Sequence, residues 1–329
     1  MSFCRLWMKG VVRYVLALLL LMSSVPSRGF DKKTGPQRVV CWNVENLFDC
    51  QDDAEKDDEE FLPDSERHWN PRRYWHKLDD VARTIAGASD EYDWPLLVGL
   101  CEVENDSVLS DLTRRSPLRE ARYGYVMTQS PDVRGIDVAL LYQPSRFHLL
   151  QHYGIRVPSV EHGLSPTRDV LYASGLVPSG DTLHVFVVHL PSKAGHNGNR
   201  KHRQLAVRTL SQALDSIGKG NVLVMGDFNT TQNDPLFRQF SPMMHCLTPK
   251  GGKQGKHGSG TYFYKSLWEY LDHFLVSDAL LSQSQHTSNV LKLPFLLEKD
   301  GRPHRTYLGP SYHGGISDHL PIWVDLYKR

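Results

Sequence analysis

Short apolar runs recur along this chain, and one after another stops at a carboxylate, an amide or a histidine. They are "QRVVCWNVENLF" (37–48), "WPLLVGLCEVEN" (94–105), "YGYVMTQ" (123–129), "IDVALLYQ" (136–143), "LHVFVVHLP" (183–191), "NVLVMGDFN" (221–229), "LDHFLVS" (271–277) and "LPIWVDLY" (320–327). Runs this short, rich in Val, Leu and aromatic residues and bounded by Gly, Pro, Asn and Asp, predict β-strands. Several are apolar with little alternation, as expected of a sheet covered on both faces.

Two stretches carry the helical period instead. "NPRRYWHKLDDVARTIAG" (70–87) offers Asn70 as N-cap and Pro71 at the first position. Tyr74, Trp75, Leu78, Val81, Ala82 and Ile85 then form one stripe, and Gly87 ends it. "NRKHRQLAVRTLSQALDSIGKG" (199–220) repeats the scheme with Leu205, Leu210, Leu214 and Ile217. Strands mixed with helices predict an α/β architecture in which helices cover sheets. The 329 residues are 40% hydrophobic, and no linker-like stretch divides them after the N-terminus, so one large domain is expected over 29–329. A formal charge of +1 argues against gripping nucleic acid by bulk electrostatics and leaves a local basic groove open.

The first residues differ in kind. Arg5, Lys9 and Arg13 precede the apolar run Val15–Met22, and small residues with Pro26 follow. That order predicts a signal peptide over 1–28 and an exported protein, periplasmic or secreted. The apolar run falls short of the roughly 20 residues that span a bilayer, so no stable membrane anchor is expected. Cys41, Cys50, Cys101 and Cys246 remain after cleavage; an exported chain permits disulfides, but their spacing assigns no pairs. No CxxC or Cys/His zinc spacing occurs.

The polar residues at the run ends are Asn43 and Glu45, Glu102, His189, Asp227 and Asn229, Asp272 and His273, and Ser317, Asp318 and His319. Singly, Asn and Asp make turns and a lone His packs in a core. Together they interrupt buried segments at a cost that convergence on a common site would offset. In an extended segment, residues i and i+2 face one side, so Asp227 and Asn229 are expected to point together while Phe228 enters the core.

Taken in order, "WNVENLF", "GLCEVEN", "VVHLPSK", "MGDFN", "LDHFLVS" and "SDHLPIWV" resemble the endonuclease/exonuclease/phosphatase superfamily over about residues 37–327. The resemblance implies a deoxyribonuclease I-like fold, an α+β four-layer sandwich of two packed mixed β-sheets flanked by helices. It further implies phosphoester hydrolysis with Mg²⁺ or Mn²⁺, whose hard charge suits carboxylate and amide oxygens. By motif match, Glu102 is the principal metal ligand, with Asn43 and Asp318 completing the shell. Asp227 serves the attacking water, and Asn229 orients it or holds a phosphate oxygen. His189 and His319 face the phosphate, with Asp272 orienting His319.

Arg134 and Lys193 are candidate substrate-binding cations, Arg134 just before a strand and Lys193 beside His189. Two segments depart from the compact family pattern: the acidic stretch 49–70, and 278–316 with Arg305 and Tyr307 as candidate rim residues. Nucleic acid is the expected substrate, and a monomer without a protein partner is expected. Two rivals remain: a phosphoesterase of the same fold acting on lipid head groups or soluble phosphate esters, and a secreted binding protein without activity. A lipid enzyme calls for an exposed apolar loop, for which "NVLKLPFLLEK" (289–299) is the candidate.

Overall fold

Successive residues of the central strands bury alternately into two different cores. Val185 and Val187 join a large cluster with Val40, Leu100, Leu140, Leu223 and Met225. Their neighbours Phe186 and Val188 join a second cluster with Val222, Val224, Leu210 and Leu214. A strand covered on both faces has no polar side to show, which explains the near-continuous apolar runs. The computed structural model describes residues 35–91, 93–192, 198–240, 244–249 and 259–328, and 36–329 form one compact unit. The expected signal peptide, 1–28, and Lys193 lie outside the described residues.

One six-stranded sheet has the order β13 (Ser284–Val290), β16 (Ile322–Lys328), β1 (Gln37–Leu47), β2 (Leu97–Val103), β4 (Asp137–Tyr142), β3 (Gly124–Met127). The other runs β5 (His148–Ile155), β6 (Val170–Leu176), β7 (Thr182–His189), β8 (Asn221–Asp227), β12 (Asp272–Ser277), β9 (Met244–Cys246). Both are mixed: β1 is parallel to β2 and antiparallel to β16, and β7 is parallel to β8 while β12 runs against it. The large cluster lies between the sheets, where β1 and β2 meet β7 and β8. Two small hairpins, β10 (Tyr262–Tyr264) with β11 (Leu267–Glu269) and β14 (Tyr307–Leu308) with β15 (Ser311–Tyr312), complete the strands.

Helix α1 (Pro71–Gly87) begins where expected, its Asn70 side chain accepting the Arg73 N–H at 3.2 Å. It buries Tyr74, Leu78, Val81, Ala82 and Ile85 against the first sheet; each such side chain contributes roughly 1.5–3 kcal/mol. Trp75 of the expected stripe stays half-buried beneath the Arg115 guanidinium, 4.7 Å from its ring. Helix α2 (Gly198–Ile217) covers the second sheet through Ala206, Val207, Leu210 and Leu214. The sandwich of two mixed sheets with outer helices is therefore as expected. No disulfide forms among the described residues, nor is any described helix long and apolar enough to cross a membrane.

Asp169, just before β6, is a stability liability within this fold. Its side chain is 5% exposed, Oδ2 lies 3.3 Å from Arg156 Nε, and buried Oδ1 has no partner. Burial pushes the carboxyl up to about 6, against the Arg156 charge and the Val157 N–H. The folded state thus keeps a proton that the unfolded chain releases near 4, so stability falls as pH rises between those values. Asp169→Asn removes the buried charge and keeps an acceptor for Val157. A gain on the order of 1–2 kcal/mol is expected at pH 7.5, about 2–8 °C in Tm, vanishing at pH 4. Thermal melts at both pH values check this, and a lower Tm at pH 7.5 would contradict it.

Candidate active site

Strand pairing within each sheet, and the packing of one sheet on the other, bring the polar run ends together. His189 closes β7 opposite Asp227 at the end of β8, and Asp227 pairs across with Asp272 at the start of β12. Facing them from the other sheet, Asn43 in β1 pairs with Cys101, next to Glu102 in β2. Ser317 locks the last approach: its hydroxyl donates to the Asn43 carbonyl at 2.6 Å and accepts the His319 N–H at 3.0 Å. Trp42 Nε1 then donates to the His319 carbonyl at 2.9 Å.

Asp227, 1% exposed, is the hub. Its Oδ2 accepts from Asn43 Nδ2 at 3.1 Å and from Asn229 Nδ2 at 3.3 Å, and lies 3.6 Å from His189 Nε2 and 3.7 Å from His319 Nε2. Burial pushes its carboxyl up, opposed by His319 and reinforced by Asp272. His319 Nδ1 meets Asp272 Oδ2 at 2.8 Å. Burial would lower the His319 pKa, but the charges of Asp272 and Asp227 outweigh it and raise it well above the ordinary value. His189 goes the other way: burial lowers it, and Arg168, Arg134 and His319 lower it further. The two histidines are thus biased in opposite senses, His319 towards the protonated ring and His189 towards the neutral one, a division suited to separate proton roles.

Asn229 reaches Asp227 by a route the alternation argument missed. The strand stops at Asp227, and Asn229 turns into the left-handed region at φ 47°. Its N–H returns to Asp227 Oδ1 at 2.8 Å, and its amide donates to the Leu190 carbonyl at 2.8 Å. Asn229 therefore fixes the Asp227 carboxylate, while Phe228 packs fully buried against Phe237, Phe240 and His273.

Glu102 is held at φ 65° where the β1–β2 register slips, a strained conformation costing on the order of 1–3 kcal/mol in a non-glycine residue. Its Oε2 accepts the Asn46 N–H at 2.9 Å, its Oε1 lies 3.3 Å from Asn43 Nδ2, and Arg134 Nη2 stands 3.9 Å away. Asp318 Oδ2 accepts from Arg305 Nη2 at 3.0 Å, and burial pushes its carboxyl up.

As hard oxygen donors facing the cleft, Glu102 and Asp318 suit Mg²⁺ or Mn²⁺. Asn43 presents its amide N–H to Glu102 and Asp227, and its Oδ1 accepts the Glu45 N–H at 3.0 Å. Among the described residues, the tightest group of possible ligands is Asp227, Asp272 and His319. The Asp272–His319 hydrogen bond and complete burial of Asp272 account for that trio, whereas Glu102 and Asp318 keep 13% and 19% of their side chains exposed.

The open cleft above, about 660 Å³, is lined by these residues and by Arg134, Tyr262, Tyr264 and Lys265. Several lining or supporting residues escaped the sequence reading, Arg168, Lys77 and Tyr262 among them. Arg168 is fastened to Asp132 Oδ2 and to the Leu190 carbonyl, both at 3.1 Å, with its buried Nε unpartnered. Lys77, 1% exposed on α1, donates to the Glu45 carbonyl and to Thr306 Oγ1. Tyr262 lays its ring 4.8 Å from that of His319. Of the expected rim residues, Arg305 lines the cleft while binding Glu45 and Asp318, whereas Tyr307 is buried against Trp69.

Buried carboxylates paired with two oppositely tuned histidines, at one end of a two-sheet sandwich, define a phosphoester hydrolase. The chain belongs to the endonuclease/exonuclease/phosphatase family, whose model matches residues 38–328; its members typically use divalent metal ions. Solved structures with this fold include the mannosyl-6-phosphatase of Bacteroides thetaiotaomicron, 15% identical with a TM-score of 0.57, covering 88% of this chain and 99% of that one. TDP2 from D. rerio, complexed with a single-strand DNA product, is 15% identical at TM-score 0.57, covering 88% and 98%. The human Nocturnin catalytic domain with bound sulfate is 17% identical at TM-score 0.57, covering 90% and 94%. No curated protein matches the chain significantly in sequence.

Proposed function

We propose that this chain is an exported, divalent-metal-dependent nuclease that hydrolyses phosphodiester bonds by in-line attack of water. The observation that carries the reading is the cleft itself: the phosphate-class site lines it together with Arg134, 49% exposed at the side chain, and the aromatic residues Tyr262 and Tyr264 of the β10–β11 hairpin. An open groove lined by a cation and by aromatic rings suits a strand passing through. Export rests on the basic, apolar and small-residue order of the N-terminus.

In this mechanism Asp227 takes the proton of the attacking water, and Asn229 with Asn43 holds that carboxylate in place. His319, cationic and braced by Asp272, donates to a phosphoryl oxygen, and neutral His189 flanks the opposite side. Glu102 and Asp318, with Asn43 adjoining, would hold the metal ion, which when bound supplies positive charge against the developing phosphoryl charge. The lipid rival loses its candidate loop. Val290 and Leu296 are buried, and Leu291, Leu293, Phe295 and Leu297 pack against the core.

Purified protein incubated with plasmid DNA, single-stranded DNA, RNA, sphingomyelin and a sugar phosphate, in Mg²⁺, Mn²⁺ or EDTA, tests the proposal. Nucleic acid cleavage that requires either ion is expected. Cleavage surviving EDTA, or hydrolysis confined to the lipid or the sugar phosphate, would overturn it.

A further inference from the structure

The β10–β11 hairpin presents an aromatic ladder that leads from the catalytic histidine to solvent. Phe263 and Trp268 pair across the two strands and interlock, centroids 5.2 Å apart, with Trp268 buried at 6% exposure. Alternation then sends Tyr262, Tyr264 and Leu267 to the opposite face, and both tyrosines line the cleft. The Tyr262 ring lies 4.8 Å from His319, and the Tyr264 ring follows at 6.2 Å with 23° between planes. Tyr264 ends the ladder 53% exposed, with Lys265 Nζ 5.3 Å from its ring centroid.

The tip that holds this ring is strained. Lys265 and Ser266 both occupy the left-handed region, at φ 46° and 67°, where a two-residue hairpin ordinarily uses Asn-Gly. Gly would relieve the turn, so the strain marks a segment that keeps the lysine at the cleft.

We propose that Tyr264, with Lys265 beside it, is the stacking platform for the nucleobase next to the scissile phosphate, and that the substrate strand is single. The inference rests on the nuclease reading. A base can lie on the exposed Tyr264 face only when it has left its own helix, and Lys265 then meets the neighbouring phosphate. Stacking tolerates every base, since each has a π-face, so cleavage is expected to favour single strands over duplex and to discriminate little by sequence.

The test compares wild type, Tyr264→Ala and Tyr264→Trp on a single-stranded oligonucleotide and on an equally long oligonucleotide whose sugars carry no bases. KM and kcat are measured with Mg²⁺, and equilibrium binding is read by fluorescence anisotropy in EDTA. Tyr264→Ala is expected to raise KM and Kd for the base-bearing strand by about 5- to 150-fold, the worth of one base–aromatic stack, with kcat within threefold. Tyr264→Trp should restore both constants, and the baseless strand should respond to neither substitution. Equal effects on both strands, or none on either, would overturn the platform while leaving the nuclease intact. So would Tyr264→Ala weakening binding to phosphatidylcholine–sphingomyelin vesicles instead of to the oligonucleotide. Wild type that neither binds nor cleaves either strand would remove the nuclease reading, and the platform with it.

Discussion

Replacing Asp227 with Asn is expected to lower kcat on the order of 100- to 10,000-fold, the range a positioned general base contributes, while the protein stays folded. The geometry explains why so small a change would be so costly. Both Asp227 oxygens are acceptors in the structure: Oδ1 for the Asn229 N–H, and Oδ2 for the side-chain amides of Asn43 and Asn229. An asparagine keeps the shape but must turn an NH₂ group towards one of those donors, with the cationic His319 3.7 Å from Oδ2. It also has no site to take the proton of water. The substitution relieves a fully buried carboxylate that burial disfavours and leaves a buried donor facing a donor, at about 1–3 kcal/mol; the two oppose each other, and a Tm close to that of wild type is expected alongside the lost activity. Steady-state kinetics with a thermal melt of the same sample decide it. Activity within threefold of wild type would show that Asp227 does not serve the water.

Much of this site was legible in the sequence because its members sit at the ends of runs that had to be buried strands. Asn43, Glu102, His189, Asp227, Asp272 and His319 each interrupt such a run, and strand pairing then delivers them to one edge of the sandwich. Two outer strands lack that signature and were missed. β5 and β13 lie at the outer edges of their sheets, are largely exposed, and read "HLLQHYGI" and "SQHTSNV". An edge strand has one neighbour and little apolar surface to bury, so its sequence need not be hydrophobic. The residues missed around the site share a different cause. Lys77 looks like a solvent-facing helix residue until Glu45 and Thr306 are seen to fold over it. Arg168 belongs to no apolar run, and Asp132 and the Leu190 carbonyl, both distant in sequence, hold it at the cleft. Left-handed Glu102 and Asn229 carry no local marker either, because the surrounding packing imposes the strain. Long-range contacts of this kind are invisible to patterns read a few residues at a time.

Gly226→Ala should do the opposite of the Asp227 substitution and unsettle the fold first. Gly226 sits in the middle of the second sheet at φ 151°, a conformation that side chains rarely adopt. A Cβ there would lie 1.9 Å from the Val188 carbonyl oxygen, and that atom is backbone of the neighbouring strand β7. Neither strand can give way cheaply: Val188 and Val224 are fully buried, and Gly226 pairs with both Val188 and His273. A loss of about 3–5 kcal/mol is expected, in the range reserved for backbone strain and overpacking, a large share of the 5–15 kcal/mol that holds a typical domain folded. The clash can be relieved only by moving β7 away from β8. That separates His189, which follows Val188, from Asp227, which follows Gly226, and their present 3.6 Å approach is lost. Activity per folded molecule should therefore fall together with Tm. Gly180→Ala is the control, because Gly180 has φ 85° and open space around its Cβ; it carries the strain of a left-handed turn without the clash, and about 1 kcal/mol is expected. Denaturant melts and kinetics of the two variants side by side separate strain from collision. Equal losses would show that the strands part to admit a methyl group, and that Gly226 does not set the distance between the catalytic residues.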